Sequence, residues 1–263
     1  MEIAALLFVN ALVTLLCFVA LWLVALRLKD VSFIDSWWAL GLVVTAWVSF
    51  MNAPGSLHAV ALVVLCTIWG LRLGLYLLWR WRSHGVDRRY AAILGKAQAR
   101  RGWSFAWASL VMVFALQAPL QWIVSLPVQF GSMATAPSLE MLAWGGVALS
   151  VIGILFETVG DWQLVQFRAD PANEGKVLDS GLWRYTRHPN YFGDACVWWG
   201  LWLIAADAGF GVWALPGPVL ITYLLTSLSG VPTVEGHLAR SKPGYDAYVR
   251  RTSGFIPLPP RAG

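Results

Sequence analysis

Apolar residues in this sequence form seven long segments that are separated by short polar stretches. The segments run over approximately 3–26, 33–51, 57–79, 104–126, 141–166, 191–206 and 211–229. Most of them reach the roughly 20 residues that a helix needs to cross the hydrocarbon core of a bilayer. Because only a helix or a closed barrel satisfies its own backbone in lipid, the pattern predicts an all-α integral membrane protein with about seven transmembrane helices.

The two ends of the chain agree with this prediction. The first apolar segment has no basic leader and no small-residue cleavage site, so we expect it to remain as the first span. The tail 230–263 begins with a helical pattern and ends extended, because Pro257, Pro259 and Pro260 cannot continue a helix. No internal repeat or shift in composition marks a boundary, which predicts one transmembrane domain over 1–263.

Lysine and arginine are concentrated in alternate loops, and this asymmetry sets the predicted orientation. They follow the first and seventh segments and fill the third and fifth connections, whereas loops such as NAPGSL and SLPVQFGSMATAPS contain none. Cytoplasmic loops carry the excess of basic residues in membrane proteins. The N-terminus is therefore predicted outside and the C-terminus in the cytoplasm, and the basic stretch 80–103 is predicted to contain a short surface helix.

Composition excludes an ordinary soluble protein. Charged residues make up 13% of the 263, against about 25% in a soluble domain. The formal net charge of +5 follows from the basic cytoplasmic loops and does not indicate a nucleic-acid partner. The three cysteines, Cys17, Cys66 and Cys196, lie in apolar segments, which indicates buried small side chains and neither a disulfide framework nor a metal site.

Five ionisable residues lie within the apolar segments, two of them close to a segment's start. A charge in such a position is costly and is therefore usually functional. They are Asp35, Arg72, Glu157, Asp161 and Asp194. The predicted topology places all five in the cytoplasmic half, which favours a polar cavity open to the cytoplasm. Glu157 and Asp161 are four residues apart and therefore share one helix face.

Each of these residues also has a structural interpretation. The carboxylate pair fits a ladder of salt bridges between helices, with Arg72 or Arg168 as the counter-ion. Asp35 fits a catalytic acid and a charge that suits the start of a helix equally well. Tyr76 lies one turn after Arg72, where a buried tyrosine is more often a packing residue than an acid.

The densest polar stretch is GLWRYTRHPNYFGD at 181–194, directly before an apolar segment. With the loop before it, this stretch supplies Asp170, Asn173, Lys176, Arg184, Tyr185, Arg187, His188, Asn190, Tyr191 and Asp194. Arginine suits phosphate because its planar guanidinium forms paired hydrogen bonds, while Asn, Asp and Tyr can bind a ribose or a base edge. A positive-inside loop with an aromatic belt explains the arginines and tyrosines, but not His-Pro-Asn followed by Gly-Asp. The residues alone indicate an anionic ligand such as a nucleotide.

This region also resembles a known superfamily. The stretch FETVGDWQLVQFRADPANEGKVLDSGLWRYTRHPNYFGD and the tail YDAYVRRTSGFIPLPP are similar to steroid 5α-reductase-like membrane reductases. The similarity is greatest to their bacterial and plant branch, the DUF1295 proteins, and DVSFIDSWW and WGLRLGLYL resemble that branch as well. The resemblance covers nearly the whole chain and implies a bacterial inner-membrane protein with a site open to the cytoplasm.

The resemblance implies NADPH as the cofactor, held between spans on the cytoplasmic side. The positions that match the reductase site are Glu157, Asp161, Arg168, Tyr185, Asn190, Asp194 and His237, with Arg187 and His188 from the motif of this branch. The predicted cofactor site is completed by Lys176, Arg184, Tyr191, Trp198 and Tyr248. The sequence has no G-x-G-x-x-G after a strand, as expected of a superfamily without a Rossmann site.

The implied reaction is reduction of a carbon–carbon double bond in a lipid, either sterol- or steroid-like or acyl. A cavity acid would polarise the conjugated carbonyl and supply the proton. Asp35 is the first candidate, provided that burial keeps it protonated at neutral pH, and Tyr76 is the second. The glutamine–glutamate pair of steroid 5α-reductases has no match here, and Thr233 stands where reductases carry an arginine. The sequence therefore supports the cofactor better than a steroid substrate.

Two other functions are alternatives to the reductase. RHPNYFG resembles the motif of isoprenylcysteine carboxyl methyltransferases, which implies S-adenosylmethionine, but those enzymes usually carry a Glu-Glu pair where this chain has Glu235 alone. S-adenosylmethionine is also less anionic than NADPH and needs fewer arginines. A non-enzymatic transporter or scaffold predicts an inverted repeat or matching broken helices, and the sequence contains neither. Oligomeric state has no signature in the sequence.

Overall fold

The computed structural model describes residues 2–228 and 230–261, except for the side chains of Thr233 and His237. This part of the chain is nearly all helical, and its only β contact is an isolated bridge between Thr186 and Ser253. Its α-helices are α1 (Ile3–Leu28), α2 (Ile34–Met51), α3 (Leu57–His84), α4 (Arg88–Arg101), α5 (Phe105–Ser109), α6 (Ala115–Val124), α7 (Leu126–Ser132), α8 (Met141–Ala169), α9 (Pro189–Asp207), α10 (Pro216–Tyr223), α11 (Val231–Ser241) and α12 (Tyr245–Arg251). The prediction of an all-α membrane protein is confirmed.

Six helical stretches of the described chain are long and apolar enough to cross a membrane. They are Ile3–Leu28, Ile34–Met51, Leu57–His84, Phe105–Val124, Met141–Ala169 and Phe210–Leu228. Each overlaps one of the seven predicted segments. The remaining segment, 191–206, is helical as part of α9 but is not among these six.

The fourth predicted span is one helical stretch with a change of pitch. A π-helix at Leu110–Phe114 connects α5 to α6, and Pro119 lies inside α6. Proline has no backbone N–H, so it cannot bond to the carbonyl four residues earlier, at Ala115. Local π-type pitch is one of the ways in which a transmembrane helix accommodates a proline.

One predicted loop is partly wrong. The stretch SLPVQFGSMATAPS was predicted to be a loop without Lys or Arg, but Leu126–Ser132 forms α7, and most of its residues are buried. Pro127 lies in the first turn, where its missing N–H costs nothing. Ser132 bonds to the carbonyl oxygen of Val128, so a short polar side chain is satisfied inside the helix. The short surface helix predicted within 80–103 is confirmed as α4.

The chain divides into two compact units. The first comprises Met1–Ala143 and Trp202–Gly217, and the second comprises Trp144–Leu201 and Pro218–Gly263. Composition does not mark this boundary, since both units consist of apolar helices.

In the first unit, a buried contact between a histidine and an aspartate joins three helix ends. His58 Nε2 lies 2.8 Å from Asp207 Oδ2, and neither side chain is more than 3% exposed. The Asp207 carboxylate also accepts hydrogen bonds from the backbone N–H groups of Glu140 and Ala143, at 3.1 Å each. A carboxylate in this position satisfies free N–H groups at the start of α8 and suits the positive end of the helix dipole.

In the second unit, α8 and α9 pack backbone against backbone. A Cβ added to Gly153 would lie 2.5 Å from the carbonyl oxygen of Gly193, and one added to Gly193 would lie 2.6 Å from the backbone nitrogen of Glu157. A Cβ on Gly200 would similarly meet the carbonyl oxygen of Gly146 at 2.5 Å. Small residues allow membrane helices to approach this closely. The glycine of the NYFGD motif is therefore a packing residue.

The tail of the second unit is bonded to the stretch before α9. Arg187 N–H donates to the carbonyl oxygen of Ser253 at 2.9 Å, and Leu258 N–H donates to that of Tyr185 at 3.0 Å. The Thr186 hydroxyl bonds to the carbonyl oxygen of Phe255 at 2.8 Å. The extended tail predicted from its prolines is confirmed, since residues 257–260 have no regular secondary structure.

Candidate functional site

Buried carboxylates line the contact between α8 and α9 in the second unit. Glu157 and Asp161, on α8, are 2% and 6% exposed, and Asp194, on α9, is 8% exposed. Asn190 lies in the first turn of α9 and donates from Nδ2 to Asp161 Oδ1 at 3.2 Å. The structure thus brings these four predicted cofactor residues to one helix pair. We call Glu157, Asp161, Asn190 and Asp194 the carboxylate cluster.

Arg187 was predicted to bind phosphate, but its side chain is occupied within the protein. Its Nε donates to Glu235 Oε1 at 2.7 Å, and its Nη1 donates to the carbonyl oxygens of Thr252 at 2.7 Å and Val249 at 3.3 Å. The side chain is only 14% exposed. The guanidinium thus bonds to α11 and to the end of α12, which gives Arg187 a structural role. This geometry does not support the prediction that Arg187 binds phosphate.

His188 is bonded to the same carboxylate. Its Nε2 lies 3.0 Å from Glu235 Oε1, and its ring stacks on that of Tyr191 with centroids 5.3 Å apart. Burial alone would raise the pKa of Glu235, but the hydrogen bonds from His188 and Arg187 outweigh it and lower the pKa to about 2. Glu235 is therefore ionised at neutral pH.

Tyr248 was predicted to belong to the cofactor site, and the structure gives it a packing role. Its buried hydroxyl donates to the carbonyl oxygen of Trp183 at 2.6 Å. Burial raises the pKa of Tyr248, with a further contribution from Tyr245, so the phenol stays protonated and remains a donor. Trp183 in turn donates from Nε1 to the carbonyl oxygen of Gly160 at 3.0 Å, so Tyr248 is connected to α8 through Trp183.

Two adjoining cavities flank the short 3₁₀-helix Gly181–Arg184. One, of about 430 Å³, contains two guanidinium groups, and it is lined by Asp179, Ser180, Gly181, Arg184, Arg251, Thr252 and Pro260. The other, of about 300 Å³, is lined by aromatic and amide side chains, and its residues are Trp162, Gln163, Gln166, Phe167, Asp170, Asn173, Leu178, Ser180 and Gly181. Arg251 is paired with Asp179, whereas Arg184 is exposed at the cavity wall. We call the first of these the arginine cavity.

The other predicted cofactor residues are scattered. Arg168 and Lys176 are exposed, Tyr185 is 43% exposed, and Trp198 is fully buried. The side chain of His237 lies outside the described residues. Neither of the two cavities is lined by a member of the carboxylate cluster. The predicted set is thus divided between the buried carboxylate cluster, side chains that are hydrogen-bonded within the protein, and exposed cations. The hydrogen-bonded side chains are those of Arg187, His188 and Tyr248, and the exposed cations are Arg168, Lys176 and Arg184.

Asp35, the predicted acid, belongs to the first unit and lies in a hydrogen-bonded cluster. Its Oδ2 accepts from Arg89 Nη2 at 2.8 Å and lies 3.8 Å from Arg80 Nη2, while its Oδ1 accepts from the Tyr90 hydroxyl at 2.6 Å. Asp35 is thus bonded to side chains of the α3–α4 region, and its role as the catalytic acid stays a prediction. Tyr76, the second candidate, stacks its ring on Trp79 at 6.1 Å.

Tyr90 is a candidate that the sequence prediction missed. Burial is the main cause that raises its pKa well above the usual range, and the Asp35 charge adds to it, so the phenol is protonated at neutral pH. Gln117 donates to its oxygen at 3.3 Å and accepts from Trp38 Nε1 at 2.7 Å. The signal in the sequence was the spacing of Tyr90 and Leu94 on α4, which marks a buried face.

A family model matches residues 21–252 and identifies the chain as a member of the family described as "Protein of unknown function (DUF1295)". The match covers most of the chain, and the resemblance to this family is confirmed. The search of curated proteins and the search of solved structures gave no significant match.

Proposed function

We propose that this DUF1295 family member is a membrane reductase that uses NADPH to reduce a carbon–carbon double bond of a lipid. The observation that carries the proposal is the carboxylate cluster, because three acids buried between two apolar helices are costly unless they serve a ligand or one another. The basic loops favour a site that is open to the cytoplasm, and the resemblance favours a bacterial inner membrane.

The second unit offers groups that fit a dinucleotide. Arg184 and Arg251 suit phosphate oxygens, since guanidinium groups form paired, charge-assisted hydrogen bonds. Asn190 and Asp161 together present an amide and a carboxylate, which suit hydroxyl groups of a ribose or the amide of a nicotinamide. Trp162 and Phe167 offer aromatic surface beside the arginine cavity. When bound, NADPH supplies the hydride for the reaction.

Reduction of a double bond also needs a proton, and the first unit, taken by itself, holds a phenol with the chemistry of a proton donor. Tyr90 is protonated at neutral pH, and its hydroxyl bonds to the Asp35 carboxylate. A phenol held in this way can donate a hydrogen bond to a carbonyl oxygen or release a proton that the carboxylate orients. In this scheme Asp35 acts through Tyr90, by accepting the hydrogen bond that orients its hydroxyl. The lipid substrate receives one hydride and one proton, which together complete the reduction.

A methyltransferase is the second candidate, and the Glu235 contacts favour it. In the sequence, Glu235 stands alone where isoprenylcysteine carboxyl methyltransferases usually have two acids. The structure joins this acid to Arg187 and His188, both from the RHPNYFG motif that resembles those enzymes. S-adenosylmethionine carries a cationic sulfonium, however, and the guanidinium groups of the arginine cavity suit an anionic ligand better.

Isotope transfer tests the proposal against this alternative. The purified protein would be incubated with lipids extracted from native membranes and with NADPH carrying deuterium at the hydride position, and the lipids would be analysed by mass spectrometry. A reductase gives a lipid that carries one deuterium. Absence of deuterated lipid, together with a methylated product when S-adenosylmethionine replaces NADPH, would establish the methyltransferase.

A further inference from the structure

The short helix α4 has two distinct faces. Its buried face consists of Tyr90, Leu94 and Ala97, of which the last two belong to an apolar core of the first unit. Its exposed face carries Arg88, Lys96 and Arg100. At about 100° per residue these three cations span an arc of about 120°, opposite the buried positions. The helix therefore presents these three positive charges on one side.

Contacts at the start of α4 fix the direction of this face. Tyr90 and Arg89 both bond to Asp35, at 2.6 and 2.8 Å. The backbone N–H of Asp87 donates to Ser32 Oγ at 2.8 Å, and the Asp87 carboxylate caps the helix by accepting from Arg89 N–H. These bonds prevent α4 from rotating about its axis, so the face with Arg88, Lys96 and Arg100 keeps one direction.

The position of α4 in the chain places it at one membrane boundary. It connects α3 to the span Phe105–Val124, both of which are long and apolar enough to cross a membrane. Tryptophans lie on both sides of it, with Trp79 51% and Trp107 52% exposed. Exposed tryptophans next to membrane spans are typical of the headgroup level. The guanidinium of Arg101 packs over the ring of Trp103, 4.9 Å from its centroid.

We propose that the exposed face of α4, formed by Arg88, Lys96 and Arg100, binds the headgroups of anionic phospholipids. The sequence contains no Asp or Glu between Asp87 and Glu140, so nothing in this stretch neutralises the three cations. Clusters of basic residues directly beside a membrane span attract anionic lipids by an amount that grows with each cation. Lipid phosphate is negatively charged and lies at the headgroup level that the flanking tryptophans indicate. It therefore fits both the charge of the three cations and their position in the membrane. This inference is independent of the proposed reaction.

Energy transfer measures the lipid preference in the full-length protein. The protein is reconstituted into phosphatidylcholine vesicles that contain a minor amount of dansyl-phosphatidylglycerol or dansyl-phosphatidylcholine, and transfer from tryptophan to dansyl is recorded. The wild type is expected to favour the glycerol lipid, and rising salt is expected to weaken this preference. The variant R88A/K96A/R100A is expected to lose about tenfold or more of it.

A matched variant removes three cations elsewhere. R240A/R250A/R261A changes the net charge equally but leaves α4 intact, and it is expected to keep the preference of the wild type. The charge-conserving R88K/R100K should also keep it. Equal loss in both alanine variants, or a wild-type preference that does not change with salt, would overturn the proposal. Unchanged preference in R88A/K96A/R100A would overturn it as well, whereas displacement of the labelled lipid by inorganic phosphate would show a site for the free anion.

Discussion

Glu235 accepts a hydrogen bond from Arg187 Nε at 2.7 Å, although the two residues are 48 positions apart in the chain. The same carboxylate oxygen lies 3.0 Å from His188 Nε2, and the far end of the Arg187 side chain bonds to the carbonyl oxygen of Thr252. RHPNYFG is the most conspicuous motif of the sequence. Its first two residues bond α11 and the end of α12 to the start of α9.

Arg187→Ala is expected to destabilise the protein by about 2–4 kcal/mol. The change removes several charge-assisted hydrogen bonds and leaves a partly buried Glu235 without its main counter-ion. Thermal and denaturant unfolding in detergent would measure the effect. Arg184→Ala is the control, because its exposed side chain should change stability by less than about 0.5 kcal/mol. If Arg187→Ala unfolds like the wild type but no longer binds nucleotide, Arg187 is a ligand residue after all.

The Glu235 contacts also predict a pH dependence. Its pKa is about 2 in the folded protein and near 4.5 ordinarily, so the folded state binds fewer protons than the unfolded state between these values. The stabilisation is complete above pH 4.5 and is lost as the pH falls from about 4.5 to about 2. In that range the wild type should lose stability more steeply than Glu235→Gln. Parallel stability curves for the two proteins would show that the carboxylate is not held as the structure indicates.

Gly193→Ala tests the packing of α8 against α9. Its new Cβ would lie 2.6 Å from backbone atoms of α8, so the two helices must move apart, at a cost of about 1–3 kcal/mol. Gly145→Ala, on α8, is the matched control, since a Cβ there meets nothing within 4 Å and alanine favours a helix. Comparable melting temperatures for the two variants would refute a backbone-to-backbone contact at Gly193.

Asp35 and Tyr90 are expected to position α4. Asp35→Ala removes the acceptor of both Arg89 and Tyr90, which frees the first turn of α4 and should speed tryptic cleavage after Arg88 or Arg89 several-fold. Tyr90→Phe keeps the ring and the Arg89–Asp35 contact but removes the hydrogen bonds of the hydroxyl to Asp35 and Gln117, so a smaller change of about twofold is expected. The cleavage sites would be identified by mass spectrometry. An α4 that resists trypsin equally in both variants would contradict the role assigned to Asp35.

The sequence predicted the membrane helices well because a bilayer imposes length and apolarity on each span. Their ends were less predictable. The helix Leu126–Ser132 was assigned to a loop because it is short, contains Pro127 and follows Ser125, and both residue types are typical of turns. Burial against neighbouring helices, which periodicity cannot reveal in seven residues, determines its structure.

The site was predicted in part. Glu157, Asp161 and Asp194 were singled out because they lie in apolar segments, and all three are buried, whereas their role in binding stays a prediction. The function of the arginines could not be read from the sequence, because Arg184 and Arg187 are three residues apart in one motif yet have opposite surroundings. Arg187 meets Glu235 only because the tail folds back, which is a long-range contact without a local signal. The spacing of Tyr90 and Leu94 indicates a buried face of α4, but the contact of Tyr90 with Asp35, 55 residues away, has no local signal.

The central claim is that the second unit binds an anionic nucleotide, and ligand-dependent unfolding tests it most directly. NADPH, NADH and S-adenosylmethionine would each be titrated in detergent with the wild type, Arg184→Ala and Asn190→Ala. At 100 times its dissociation constant a ligand adds about 2.7 kcal/mol of stability. The account predicts that NADPH raises the melting temperature of the wild type and that both variants need more NADPH for the same rise. Stabilisation by S-adenosylmethionine alone, or equal responses to NADPH in all three proteins, would contradict it.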